Sequence, residues 1–222
     1  MSSRSPGWVT NLIVSLIVLG SFLAGLWALS HLGAGQRIAI HFDLNGRPNG
    51  WAPARIAVFI MPAVAAGLWI LRLVLPKMTP RGDNLERSSG AFDTIMVAII
   101  LFMALMQGLI IGPAVGYPVA VVAAVPAMIG VLFVVIGNVL PRLRWNFVVG
   151  VRTPWTLADE RVWDKTHRFG GWVMVIAGLV LIIAAAIPPH APKPALIAAV
   201  IGTMAVSIMA MSYWFWRQLQ RA

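Results

Sequence analysis

The chain has 222 residues, of which 59% are hydrophobic and only 11% are charged. Soluble domains carry about 25% charged residues, so this composition excludes an ordinary soluble fold and predicts that lipid surrounds most of the chain. The formal net charge of +10 does not indicate a nucleic-acid partner, because the basic residues flank apolar runs and form no continuous basic face. Cysteine is absent, which excludes disulfides, thiol catalysis and thiolate metal sites.

Six segments are long and apolar enough to cross a bilayer, which takes about 20 residues each. They are Val9–Ser30, Ile56–Leu75, Ala91–Gly112, Val119–Leu140, Gly170–Ile187 and Ala195–Trp216. The first is too long for the core of a signal peptide, so we expect it to be retained. The sequence therefore predicts an all-α polytopic membrane protein with six transmembrane helices.

The distribution of Lys and Arg predicts the orientation of these spans. Thirteen of the 17 lie in the N-terminus, the second loop, the fourth loop and the C-terminus, which share one side of the membrane. The other side has Arg37, Arg47, Arg55 and Lys193. We therefore expect both termini to be cytoplasmic.

Few polar side chains fall inside the predicted spans. Arg72 and Asp93 lie near span ends, where they can reach the headgroups, and the absence of an ionisable group at depth argues against an ion-coupled carrier. Gln107 and Asn138 are mid-span amides, for which we expect interhelical hydrogen bonds. Gly108, Gly112 and Gly116 have the spacing for close helix approach, but Pro113 interrupts them.

The first outer loop, residues 31–55, has strong turn chemistry. Residues 37–42 are predicted to form a short strand that leads into the turn at Asn45-Gly46. His41 and Asp43 are separated by one residue in this loop, and His31 and His190 are predicted to lie on the same side of the membrane. These four groups raise the alternative of a metal site. Their spacing fits no standard metal site, so we expect no metal and assign His41 and Asp43 to the backbone groups of the loop.

The other long polar segment is the fourth loop, residues 141–169, which is predicted to be cytoplasmic. Thr156 and Asp159 have the spacing of a capping box, which predicts a short interfacial helix from Leu157 to His167 after Pro154 has blocked an earlier start. Ahead of it lies a donor-rich turn at Arg152-Thr-Pro-Trp. Arg152 has two interpretations. It bonds to helix-end carbonyls or lipid phosphate, or it belongs to a surface that docks a partner or senses a ligand.

These two loops resemble a known family. The following motif resembles the SdpI family of bacterial multi-pass membrane proteins: Gly137-Asn138, Pro141, Asn146, Gly150-Val-Arg152-Thr-Pro-Trp-Thr156, Trp163, His167-Arg168 and Gly171. An upstream motif resembles a domain of unknown function that often precedes it: His41-Phe42, Asn45-Gly46, Pro48 and Gly50-Trp51. The resemblance implies residence in the bacterial cytoplasmic (inner) membrane.

The resemblance also implies a function. A member of the family protects the producing cell from a secreted peptide toxin and holds a transcriptional repressor at the membrane. We therefore expect a peptide toxin outside and a cytoplasmic regulator inside as partners, besides the lipid bilayer, and no cofactor. The candidate binding residues are Asn146, Arg152, Thr153, Pro154, Trp155, Trp163 and His167 inside, with His41, Asn45, Gly46 and Trp51 outside.

Two other classes of function remain open. An enzyme is disfavoured, because no span holds the residue sets of intramembrane proteases and nothing places a nucleophile beside a base. A small-molecule or lipid carrier is the alternative, since residues 1–112 and 113–222 each read as span, long loop, span, span. The order of loops predicts a 3+3 inverted repeat with these two halves as domains.

Overall fold

The computed structural model describes residues 7–43, 45–187 and 194–221. Eight α-helices lie in this part of the chain: α1 (Gly7–His31), α2 (Ala54–Met78), α3 (Gly82–Arg87), α4 (Ser89–Ala114), α5 (Val121–Val139), α6 (Pro154–Ala158), α7 (Glu160–Ala186) and α8 (Pro194–Leu219). A 3-10 turn (Leu140–Arg142) extends α5. Strands β1 (Arg37–Phe42) and β2 (Pro48–Pro53) form an antiparallel hairpin.

The six-span prediction is confirmed. Helices α1, α2, α4, α7 and α8, and α5 together with its 3-10 turn, are each long and apolar enough to cross a membrane. Many large apolar side chains on these helices are exposed, including Leu16, Leu105 and Val206. Such faces suit acyl chains and not water, so the chain is a polytopic membrane protein of mainly helical structure.

The chain divides into two compact units. One holds residues up to Leu71 together with Ile99–Val125, and the other holds Arg72–Ala98 together with residues from Pro126 onward. The first unit has a core to which α1, the hairpin, α2 and α4 all contribute: Ala28, Ile38, Ala54, Ala57, Val58, Ile110 and Ile111. Burial of Ile38 in this core fixes the hairpin against the helices, because its side chain is only 2% exposed.

In the second unit α5 and α7 approach until their backbones touch. A Cβ on Gly130 would lie 2.6 Å from the carbonyl oxygen of Gly178, and a Cβ on Gly137 would lie 2.6 Å from that of Gly171. Along each helix, the two glycines lie seven positions apart in sequence. Small residues allow such approach in a membrane, where packing replaces the hydrophobic effect as the driving force. We call these four residues the glycine seam.

A short helix precedes the fifth span, but its predicted bounds were wrong. It is α6, at Pro154–Ala158, and residues 160–167 form the first two turns of α7. Pro154 starts α6 instead of blocking it, because a proline at the first helical position gives up an N–H that would be unpaired anyway. Asp159 was expected to belong to the capping box of the short helix, but it is the N-cap of α7.

Arg72 and Asp93, which the sequence placed near span ends, pair with each other. The Nε atom of Arg72 donates to Asp93 Oδ1 at 2.9 Å, and Nη2 donates to the same oxygen at 2.5 Å. The two side chains are 14% and 16% exposed. The pair ties α2 to α4 within the second unit.

Candidate functional site

Asn146 organises residues 143–159, which we call the arginine loop. Its side chain is fully buried and makes four hydrogen bonds to the loop backbone. Nδ2 donates to the carbonyls of Arg144 (2.8 Å) and Val149 (3.1 Å). Oδ1 accepts from the N–H groups of Val148 and Val149, both at 2.8 Å. The amide therefore satisfies backbone groups that the absence of a helix or strand would leave unpaired.

His167 holds the loop from the side of α7. Its Nε2 accepts a hydrogen bond from the Val151 N–H at 3.0 Å, so this nitrogen carries no proton. Nδ1 then carries the proton and donates to the Trp163 carbonyl at 2.9 Å. The ring is 1% exposed. The backbone approaches this ring closely at Gly150, where φ is +123° and a Cβ would collide with His167 Nε2.

Trp163 lies under the same loop. Its indole Nε1 donates to the Leu143 carbonyl at 2.8 Å, and its ring stacks on His167 with centroids 3.8 Å apart. The side chain has no exposed surface. Trp163 and His167 therefore act as internal supports, and a partner on the surface could not contact their rings without unfolding the loop.

Two threonines close the turn ahead of α6. The hydroxyl of Thr156 accepts from the Thr153 N–H at 2.9 Å, while the Thr156 N–H donates to Thr153 Oγ1 at 3.2 Å. This reciprocal arrangement is a capping box, with threonine at the position that glutamate or glutamine usually takes. The Thr156 hydroxyl also donates to the Val151 carbonyl at 2.7 Å, which joins the cap to the segment that His167 holds.

The accessible binding candidates of the loop lie in its proline turn, although Arg144 and Phe147 are exposed as well. Arg152 is exposed, and its Nη1 donates to the Phe147 carbonyl at 3.1 Å. This carbonyl lies in the loop itself and not at a helix end, so the bond differs from the helix-end bonding expected from the sequence. Pro154 is exposed as well. Trp155 is half-buried and packs against Tyr213 of α8, with ring centroids 5.0 Å apart. These side chains are accessible to a partner, whereas Asn146, Thr153, Trp163 and His167 are not.

Arg81 is a part of this site that the sequence analysis missed. Its guanidinium carbon lies 3.2 Å from the centroid of the Trp145 ring and 4.6 Å from that of Phe147, so it makes cation–π contacts with both. Its backbone is left-handed, with φ of 60°. Asn84, three residues later, donates to the Trp145 carbonyl at 2.9 Å. The α3 segment thus supports the arginine loop from 61 residues away, a contact that no local motif reveals.

Asp159 marks the end of the loop by capping α7. Its Oδ1 accepts from the Arg161 N–H at 2.7 Å, and its Oδ2 pairs with Arg161 Nη2 at 2.9 Å. The hydrogen bond from the Arg161 side chain is the main cause of the lowered pKa of Asp159. The carboxylate stays charged at neutral pH, which suits the positive end of a helix dipole.

In the hairpin loop, residues 31–55, Asp43 forms the turn. Its Oδ1 accepts from the N–H groups of Asn45 and Arg47, both at 2.8 Å, and the bond from Arg47 is the main cause of its lowered pKa. The assignment of Asp43 to loop backbone groups is therefore confirmed. His41 differs from that expectation, because its Nδ1 contacts the side-chain oxygen of Asn49.

Other hairpin residues divide into buried and accessible positions. Gly46 has φ of +75°, and a Cβ there would collide with Val122 at the start of α5, so the turn packs on that helix. Asn45 is exposed, and Trp51 is 52% exposed. The candidates of the hairpin loop lie in the first unit and those of the arginine loop lie in the second.

The two intramembrane amides have different surroundings. Gln107 is 2% exposed, and its Nε2 donates to the carbonyls of Ser21 (2.8 Å) and Val58 (3.0 Å). The predicted interhelical bonding of Gln107 is therefore confirmed. Asn138 is exposed near the end of α5, and its side chain bonds to no residue of the described part of the chain. Within residues 7–43, 45–187 and 194–221, no three His, Asp or Glu side chains come together as a metal site would require.

The resemblance stated from the sequence is confirmed by comparison with known proteins. Residues 142–213 match the model of the SdpI/YfhL protein family, and residues 16–66 match a domain of unknown function, DUF1648. The chain is 25% identical over 209 residues to the "Immunity protein SdpI" of Bacillus subtilis (strain 168), which covers 94% of this chain and 97% of that protein. No solved structure matches the chain.

Proposed function

We propose that this SdpI-like membrane protein is a bacterial immunity protein, which protects the cell from a membrane-active peptide without catalysing a reaction. The observation that carries the proposal is the end-to-end similarity to a protein named for immunity, over 94% of this chain. The polar side chains that face inward in the arginine loop are engaged with its own backbone. Such an arrangement maintains a surface for binding.

The orientation belongs to the same proposal. Thirteen of the 17 Lys and Arg flank the spans on the side of the arginine loop, which by the positive-inside rule is the cytoplasmic side of the inner membrane. The hairpin loop then faces outward and meets the peptide first. Its accessible side chains are those of His41, Asn45 and Trp51.

The arginine loop is proposed as the contact for a cytoplasmic regulator. It presents Arg152, Pro154 and part of Trp155 on a scaffold whose backbone is fixed by Asn146 and His167. Arg and Trp are enriched at the centres of protein interfaces. A scaffold already ordered before binding loses little conformational freedom when a partner docks.

Expression in peptide-sensitive bacteria tests the immunity role. Cells that produce the chain and cells with an empty vector are exposed to a panel of membrane-depolarising peptides, while a potential-sensitive dye reports the membrane potential. We expect at least one peptide to depolarise only the vector cells. A Gly137→Leu variant, in which α5 and α7 cannot close, should lose the protection. Equal depolarisation of producing and vector cells across the panel would contradict the proposal.

A carrier is the second candidate, and one observation favours it. Arg72 lies six residues before the end of α2, about 9 Å along the helix axis at 1.5 Å per residue, and it pairs there with Asp93. Ionisable groups within spans often mark substrate or ion pathways. Reconstituted vesicles distinguish the two candidates: uptake of an ion or small solute that disappears in Asp93→Asn would support a carrier with the proposed inverted halves, residues 1–112 and 113–222.

A further inference from the structure

A groove runs along the surface of the first unit between α1 and α4. It has a volume of about 460 Å³, which lies within the range of about 300–1,000 Å³ for ligand sites. Its walls are mainly apolar, and at the end nearest the hairpin it is flanked by Trp27 and Tyr117. Both aromatic side chains are well exposed, at 46% and 64%, so they are accessible to whatever lies in the groove.

Two buried polar side chains line this groove and have unused hydrogen-bonding capacity. Gln107 uses both protons of Nε2 on carbonyls of α1 and α2, but its Oε1 accepts no hydrogen bond from the described residues. Ser21 is 7% exposed, and its hydroxyl likewise bonds to no described residue. The two atoms face the groove, and in a membrane, where water is absent, polar groups without partners cost free energy. This pair therefore indicates a ligand with a donor and an acceptor.

Two of the three glycines that line the groove have open space where those of the glycine seam have a partner. A Cβ on Gly20 or on Gly108 would meet no atom within 4 Å. Glycine weakens a helix relative to alanine, and in membranes its usual benefit is that it lets another backbone approach. The described residues supply no backbone at Gly20 and Gly108, so the approach surface is available to another molecule.

We propose that this groove binds an apolar peptide helix that carries one small amide or hydroxyl side chain. A lipid chain would fill the apolar walls but would leave Gln107 Oε1 and the Ser21 hydroxyl unpaired, whereas an Asn or Ser on a helix satisfies both. The glycines then allow the two backbones to approach. This inference rests on the proposed immunity function, for which it names the surface and the class of ligand, a membrane-inserted helix.

A binding measurement with defined peptides tests the groove directly. The chain lacks cysteine, so a single cysteine introduced at the exposed Ala34 takes a donor fluorophore at the hairpin end of α1. The probes are a 20-residue Leu/Ala helix with one central Asn and an acceptor at one end, and the same helix with Leu in place of Asn. Energy transfer is measured with the full chain in phosphatidylglycerol-containing nanodiscs.

Matched glycine variants provide the comparison. Gly108→Leu fills the groove, while Gly67→Leu adds the same side chain to α2 at another exposed glycine whose Cβ would also meet nothing within 4 Å. We expect the Asn probe to bind at least tenfold more weakly to Gly108→Leu and unchanged to Gly67→Leu. Ser21→Ala should reduce the preference for the Asn probe over the Leu probe by at least threefold.

Several results would overturn the inference. Equal affinities of Gly108→Leu and Gly67→Leu for the Asn probe would remove the groove as the site. Equal affinity of the wild type for the Asn and Leu probes would remove the polar recognition. Displacement of the probe as the phosphatidylglycerol fraction of the nanodisc is raised would make a lipid the occupant. Energy transfer between two labelled chains that Gly108→Leu abolishes would make it a second copy.

Failure of the groove and failure of the immunity role give different results. Full protection of cells by Gly108→Leu, together with lost probe binding, would separate the groove from immunity and overturn the inference while the proposed function stands. Probe binding that depends on Gly108, in a wild-type chain that protects no cell, would instead contradict the proposed function and support a helix-binding groove.

Discussion

The imidazole Nε2 of His167 accepts a hydrogen bond from the backbone N–H of Val151, 16 residues earlier in the chain, at 3.0 Å. This bond joins the first turns of a membrane-spanning helix to the middle of a polar loop. The same ring is held by the Trp163 carbonyl at its other nitrogen, so both its orientation and its protonation are fixed. One neutral histidine therefore holds the middle of the arginine loop against α7, while Trp163 holds its start through the Leu143 carbonyl.

Replacement of this histidine tests that dependence. His167→Phe keeps an aromatic ring to stack on Trp163 but leaves the Val151 N–H buried without an acceptor, which costs about 1–3 kcal/mol. We expect a lower thermal unfolding temperature in detergent and faster proteolysis within residues 143–159. His31→Phe, at an exposed position, is the control. An unchanged unfolding temperature in His167→Phe would refute the role of the bond.

Gly150 offers a second test of the same region. Gly150→Ala meets both a positive φ of +123° and a collision with His167, and strained backbone of this kind costs about 1–3 kcal/mol. Gly170→Ala in α7 is the matched control, because a Cβ there meets its nearest neighbour at an ordinary 3.5 Å. Thermal unfolding should separate the two variants by several degrees, and identical curves would contradict the close approach.

Arg152 is the residue whose change should affect function without affecting folding. It is exposed, and surface substitutions away from special features usually change stability by less than about 0.5 kcal/mol. We expect Arg152→Ala to reach the membrane at normal abundance and to lose protection or signalling in peptide-challenged cells. Arg144→Ala, also exposed, should keep both. Full activity of Arg152→Ala would make the loop a scaffold only.

The Arg72–Asp93 pair should show strong coupling in a double-mutant cycle. Loss of one partner from a largely buried pair costs about 3–5 kcal/mol, whereas replacement of both by apolar residues is often close to neutral. We expect Asp93→Leu to lower the unfolding temperature more than the double variant Arg72→Leu/Asp93→Leu does. Additive effects of the two single changes would show that the pair contributes little to stability.

The turn of the hairpin loop should depend on pH through Asp43. Hydrogen bonds, chiefly from the Arg47 N–H, lower the pKa of Asp43, so its stabilising effect is complete above the ordinary value of about 3.9 and is lost as the pH falls through the lowered value. Amide chemical shifts of Asn45 and Arg47 should titrate with a midpoint below about 3.9. Asp43→Asn should abolish this titration, and a midpoint above the ordinary value would contradict the assignment.

Local sequence patterns predicted the features that depend on residues close together in the chain. Hydropathy placed the six spans, and the Asn45-Gly46 turn with its preceding strand appeared where the turn residues indicated. The start of the fifth span was harder to place. Thr153 and Asp159 are both helix-starting residues six positions apart, and in the structure each caps a different helix.

Long-range contacts could not be read from the same patterns. The stacking of Arg81 on Trp145 joins residues 64 positions apart, and no local signal relates them. The glycine seam was missed for a similar reason, since Gly130 and Gly178 become a pair only once α5 and α7 are known to be neighbours. The sequence identified Arg152 as a candidate binding residue, but it could not show that the side chain is exposed.

Asn146 supplies four hydrogen bonds that the arginine loop would otherwise seek from water. A segment whose backbone groups are hydrogen-bonded by its own side chain can keep one conformation against hydrated headgroups, detergent or the dry surface of another protein. A partner that docks there need not compensate for the backbone groups of Arg144, Val148 and Val149, because Asn146 already pairs them.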